Sequence, residues 1–154
     1  MIPTVLRAEI NVELAAMEVV VDELVALQRD LSDREPSLRE IAAASGFMVQ
    51  FYTGVENILK RICRHSGIDL PTGDTWHVDL FQYFCVPPHP GLPSLFDATL
   101  ASQLAPYRRF RHVVLHGYAF QIDWMRMSAG VAGVQDVFAR FRSSLADYLS
   151  TLET

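Results

Sequence analysis

The chain has 154 residues, half of them hydrophobic and a fifth charged. That composition excludes a disordered or fibrous polymer, and the length suits one ordinary domain with a real core, so 1–154 reads as a single domain. Thirteen Lys and Arg against 18 Asp and Glu give a formal net charge of -5, which excludes a generally basic nucleic-acid coat and confines any RNA-handling surface to a local patch.

Leu6, Ile10, Leu14, Met17, Val21, Leu24, Leu27 and Leu31 recur at steps of three and four, so the chain opens with one long amphipathic helix that starts near Pro3-Thr4. A second long helix is predicted from Pro36 to Gly67. Ser37 and Glu40 have capping-box spacing. Leu38, Ile41, Ser45, Met48, Tyr52, Val55, Leu59 and Ile62 form its apolar stripe, and Phe47, Phe51 and Ile58 widen it. Gly67 stands where a C-terminal cap belongs. The short polar link at 32–36 makes these two helices antiparallel neighbours.

The middle of the chain breaks the pattern. Pro71-Thr72-Gly73-Asp74 reads as a turn, Thr75 to Phe84 as a short helix, and Val86 to Pro93 as a stiff surface loop, because its prolines remove backbone donors. Ser94 with Asp97 suggests the next helix start. From Leu95 to Leu115 the pattern is helical, with a bend or restart at Pro106. A last helix is expected from Ser128 to Leu152, with Val134, Phe138, Phe141, Leu145, Tyr148 and Leu152 on its inner face. The sum is an all-α fold, an up-and-down bundle of four or five helices with an irregular Pro-rich insertion.

Cys63 and Cys85 lack Cys-x-x-Cys spacing, so they read as buried, unpaired thiols and not as zinc ligands. The start has no basic segment followed by an apolar run, and no apolar stretch approaches the roughly 18–20 residues that span a bilayer. The expectation is a soluble protein of a reducing compartment, with no membrane contact.

Chemistry concentrates in Tyr107-Arg108-Arg109-Phe110-Arg111-His112-Val113-Val114-Leu115-His116-Gly117-Tyr118. Three arginines within four residues, followed by two histidines, make a local anion site inside an acidic chain. Arginine's planar fork suits phosphate, and histidine titrates near neutral pH and so suits proton transfer. On a straight helix Arg111 and Tyr118 share one face, and His112 and His116 share another. Arg111 and His116 do not share a face. Arginine's length, a helix end at Gly117, or a second copy across a dimer are the three ways to unite them. The His112–His116 spacing also permits a zinc pair, but no third ligand is evident.

The spacing Arg111-x4-His116-x-Tyr118 resembles the signature of HEPN ribonucleases of the HepT-like toxin branch. His112, the polar residue after the arginine, and the late position of the motif before a final helix are similar to that branch as well. The resemblance implies metal-independent RNA cleavage with no cofactor. The RNA 2'-hydroxyl attacks the adjacent phosphate, His116 serves as general acid or base, and Arg111 stabilises the transition-state charge. It implies Arg108, Arg109 and His112 as RNA-binding or supporting groups. It further implies a homodimer with two motifs facing one cleft, and a partner nucleotidyltransferase antitoxin that adenylylates Tyr118. The setting it implies is a bacterial or archaeal cytoplasm, with cellular tRNA or mRNA as substrate and no role for DNA.

The alternative is a non-catalytic helical binding or regulatory subunit of a nucleotidyltransferase. Lys60, Arg61, Arg64 and His65 read either as favourable charge at a helix C-terminus or as an auxiliary RNA surface. Trp76, His77 and Trp124 are candidates for stacking on bases, with packing the plainer expectation for the tryptophans.

Overall fold

The computed structural model describes residues 2–153. Five α-helices run in order: α1 (Ile2–Asp30), α2 (Leu38–His65), α3 (Trp76–Gln82), α4 (Ala98–Leu115) and α5 (Trp124–Thr151), with one 3-10 turn at Ala119–Gln121. Among the described residues there is no strand, and no helix is long and apolar enough to cross a membrane.

Helix α1 buries Leu6, Ile10, Leu14, Met17, Val21 and Leu24, which are six positions of the predicted stripe. Helix α2 begins as its sequence dictates. The Ser37 side chain accepts from the Glu40 backbone N–H, and the Glu40 carboxylate accepts from the Ser37 N–H, so two orphan donors of the first turn are satisfied reciprocally. Arg34 holds the same carboxylate with two hydrogen bonds of 2.7 Å, which keeps it well below the usual carboxylate range, at about 2. Gly67, at φ +70°, carries the chain out of α2 through the left-handed region that glycine enters freely.

Ion pairs fix the helix directions. Arg61 and His65, near the end of α2, meet Glu9 and Glu13 near the start of α1, so these helices are antiparallel. Arg7 pairs with Glu153 and Arg142 with Glu18, so α5 is antiparallel to α1. The Ser144 hydroxyl donates to the Leu95 carbonyl ahead of α4, and the Tyr107 hydroxyl donates to the Gly130 carbonyl at 2.6 Å, so α4 and α5 are antiparallel. The result is an up-down-up-down bundle. Phe51 stands at its centre, fully buried, edge-on to Tyr107 at 5.2 Å and to Phe138 at 6.2 Å. Gly130 lets α5 approach closely, since a Cβ there would lie 2.6 Å from Met48.

Three boundaries differ from the sequence expectation. Asp97, not Ser94, caps α4: its carboxylate accepts from the Leu100 N–H at 2.8 Å, while Leu95 and Phe96 ahead of it are extended and buried. Pro106 does not restart α4, which runs through it unbroken. It lies on the exposed side, where water can meet the one carbonyl it frees. Helix α5 starts at Trp124, four residues before Ser128, because Asp123 caps it through the Met125 N–H.

The insertion between α2 and α4 is irregular, as expected, and Val86 and Pro87 in it are exposed. It is nonetheless fastened to the bundle. Phe81 and Phe96 stack at 5.0 Å, and Phe96 touches Phe141 of α5 at 6.2 Å. Leu80, Phe84 and Leu92 are buried with them. Cys63 is buried and Cys85 half-buried, both as free thiols, and burial pushes the Cys63 thiol up to about 11.

Phe51→Ala removes the aromatic hub of a packed core. It should cost about 3–5 kcal/mol of unfolding free energy, read as a lowered urea midpoint with an unchanged slope.

Candidate functional site

The site begins with a side chain that breaks the pattern of α2. Glu56 stands one helical turn after Tyr52 and just ahead of Leu59, inside the apolar arc, and is 1% exposed. A carboxylate taken out of water without partners is costly, so it must be paired. One oxygen, Oε1, is bonded by the Arg111 guanidinium of α4, and Oε2 lies 2.6 Å from His77 Nδ1 of α3. One polar knot therefore joins α2, α3 and α4.

The knot bears on the tautomer of His77. His77 Nδ1 is within 3.0 Å of an Arg111 nitrogen as well as of Glu56. Arginine can only donate, so bonding to it would require a lone pair on Nδ1, and that lone pair would then face the carboxylate oxygen. The arrangement that satisfies Glu56 places the proton on Nδ1, donating to Oε2. The His77 ring is backed by Trp76, with centroids 3.4 Å apart, and the Lys60 ammonium sits 4.5 Å from the Trp76 ring centre.

Beside the knot opens a cleft of about 340 Å³. Asp74, Thr75 and His77 of the insertion form one wall. Arg108, Arg109, Arg111, His112 and His116 form the other. Arg108 is braced by the Phe81 ring, 5.4 Å from its guanidinium carbon. The cleft is the cationic patch of an otherwise acidic chain, opposed by Asp74 at its rim.

Arg111 and His116 border the same cleft of one chain, although they do not share a helical face. Helix α4 ends at Leu115, and His116 is its C-cap with φ -116° and ψ 11°. His116 lines the cleft one turn beyond His112, and the long Arg111 side chain reaches the same cleft. His116 Nδ1 lies 2.8 Å from the His112 carbonyl, an acceptor, so Nδ1 carries the proton and donates. Nε2 of His116 has no protein partner among the described residues. The His112 ring lies 4.2 Å from the His116 ring.

Tyr118 departs from the shared face expected of it with Arg111. The helix stops before it, its backbone is extended, and its ring is 70% exposed and stacked on Phe120 at 5.7 Å, outside the cleft lining. Buried in the opposite direction, the Tyr52 hydroxyl has no partner, and burial together with the Glu56 charge pushes it far above the usual phenol range. Arg61 and His65 are engaged with Glu9 and Glu13, which favours the structural reading of that cluster. Trp76 and Trp124 pack partly against the core.

Residues 43–152 match the family described as HepT-like protein, which is more than two thirds of the chain. The chain belongs to the HepT-like family of the HEPN superfamily. No curated protein and no solved structure matches it. The HepT-like match begins within α2 and so includes Glu56, the insertion and the Arg111–Tyr118 segment.

Sequence reasoning passed over Glu56 of this candidate site and read His77 only as a candidate for stacking on bases. Glu56 had a legible signal, a single acid inside an apolar arc with Tyr52, Val55 and Leu59 around it. His77 had none beyond its residue type, because only packing of the insertion turns it toward α2 and α4.

Arg111→Ala leaves Glu56 buried with His77 alone for compensation. It should lower stability by about 3 kcal/mol, and adding Glu56→Gln should recover part of that loss, read as a coupling energy in a double-mutant cycle of denaturant unfolding.

Proposed function

We propose that this HepT-like protein is a metal-independent endoribonuclease, active without a cofactor, that cuts cellular RNA such as tRNA or mRNA. The observation that carries the reading is the single cleft bordered by both Arg111 and His116, with the His116 tautomer set so that Nε2 is the free nitrogen. The 2'-oxygen of RNA attacks the adjacent phosphorus and the bond to the 5'-oxygen breaks, leaving a cyclic phosphate. His116 moves a proton in this exchange. Arg111 places positive charge where the transition state gathers negative charge, and its fixed position means that little reorganisation is needed. Arg108, Arg109 and His112 hold the flanking phosphates. DNA lacks the attacking hydroxyl, so it is not a substrate.

The active form is a homodimer in the cytoplasm of a bacterial or archaeal cell. Supporting this, exposed large apolar side chains concentrate in one stretch beside the motif: Val113, Leu115, Tyr118, Phe120 and Met125 are 55–80% exposed. A nucleotidyltransferase antitoxin transfers AMP from a nucleotide to the exposed Tyr118 hydroxyl. The added phosphate brings negative charge to the edge of the cationic cleft and competes with RNA.

One observation favours a second reading. Arg111 is engaged by the buried Glu56, which suits a structural arginine in a non-catalytic subunit that binds a nucleotidyltransferase.

The deciding measurement uses protein purified without a partner and shown by mass spectrometry to carry no adenylate on Tyr118. Cleavage of total cellular RNA should persist in chelator and vanish in His116→Ala. Absence of cleavage by the unmodified protein selects the non-catalytic subunit. Phe120→Glu should shift the dimer to monomer in light scattering; an unchanged mass would place the dimer interface elsewhere.

A further inference from the structure

His77 belongs to no part of the arginine-to-histidine motif, yet it stands in the same cleft. Its side chain is about a third exposed while Glu56 beneath it is buried. Its Nδ1 proton is committed to Glu56 Oε2 at 2.6 Å, and the ring is clamped by Trp76 on one side. Nε2 has no protein partner among the described residues. His116 has the same arrangement: Nδ1 is tied to the His112 carbonyl and Nε2 is free. Two imidazoles of one chain, each with one nitrogen anchored and the other available, thus border a cleft that also holds Arg108, Arg109 and Arg111.

Satisfying Glu56 takes only one nitrogen of the ring. The other stays unpaired at the wall of a cationic cleft. Cleavage through the 2'-oxygen needs two proton movements, one away from the 2'-hydroxyl and one to the departing 5'-oxygen. Two imidazoles that border the same cleft of one chain can share these movements in one passage.

We propose that His77 is a second proton-transfer residue of this cleft, with Glu56 as the positioning residue that fixes its tautomer and orientation. The inference rests on the ribonuclease reading above. In the step, the 2'-oxygen–phosphorus bond forms and the phosphorus–5'-oxygen bond breaks. One imidazole Nε2 takes the 2'-hydroxyl proton, and the other, protonated, gives its Nε2 proton to the 5'-oxygen. The two histidines end with exchanged protonation states, and water resets them. Arg111 serves both ends, as partner of Glu56 and as a charge beside the phosphate.

The charged and titratable groups around His77 are known. Glu56 and, through Trp76, Lys60 face it from α2; Arg111, Arg108, Arg109, His112 and His116 face the cleft from α4; Asp74 and Asp79 belong to its own segment. A pH–rate profile therefore reads a coupled set, and the variant must remove one member without disturbing the rest. His77→Asn does this, because its amide N–H stands near the place of Nδ1–H and can still donate to Glu56, while nothing replaces Nε2.

The test measures kcat/KM against pH on an RNA oligonucleotide with unmodified protein, for the parent, His77→Asn and His116→Ala. A thermal melt accompanies each, to confirm that His77→Asn is folded. The parent should show a bell with two limbs. His77→Asn should lose about 10²–10⁴-fold at the optimum and one of the two limbs. A substrate with sulfur in place of the 5'-oxygen, whose leaving group needs no proton, separates the roles: recovery of His77→Asn marks His77 as the donor, and persistence of the defect marks it as the acceptor. A folded His77→Asn that keeps both limbs, at full or reduced rate, overturns the proposal and leaves the ribonuclease reading intact. A parent that cuts no RNA overturns that reading, and this inference with it.

Discussion

A buried carboxylate organises the cleft end of this bundle. Glu56 lies within the packed face of α2, where an unpaired charge would be intolerable, so the fold must deliver cations to it. It receives Arg111 from α4 and His77 from α3, two elements that no local sequence signal connects. The requirement acts in both directions. Glu56 is tolerable only because α3 and α4 come together there, and α3 and α4 are held in place partly because Glu56 is there. A buried ion pair of this kind is weak evidence of stability, since apolar residues of similar volume often serve as well. Its stronger consequence is geometric: it fixes one guanidinium and one imidazole at the edge of a cleft.

The insertion makes that delivery possible. Its prolines forbid a helix over 86–93, yet the segment does not float free, because Phe81, Phe84 and Phe96 are buried together and Phe96 meets Phe141 of α5. The aromatic anchoring also braces Arg108 through the face of Phe81. A short helix of seven residues would be marginal alone, and here it is stable by tertiary packing and so can hold Asp74, Thr75 and His77 as one wall. A chain with net charge -5 thereby gains a cleft in which three arginines and three histidines gather. Local geometry overrides the overall charge.

Where α4 stops matters as much as what it carries. Ending at Leu115 turns His116 into a cap whose Nδ1 finds the His112 carbonyl, and it sends Tyr118 out into solvent on an extended strand of backbone. The same chain end therefore separates a cleft-facing histidine from an exposed phenol beside it.

The sequence by itself determined the class of fold, the two long opening helices with their cap at Ser37, and the final helix, because three-four periodicity and capping chemistry are local properties. It also singled out Arg108, Arg109, Arg111, His112 and His116 as the candidate site, because cations stand out against an acidic background. Tertiary structure decided the rest. It alone brought Arg111 and His116 to one cleft of a single chain, moved the α4 cap from Ser94 to Asp97, and separated Tyr118 from the face expected of it. It alone turned His77 toward Glu56. Each of these depends on which distant surfaces pack together, and the pairing of a buried charge is a property of the packed chain that no window of local sequence contains.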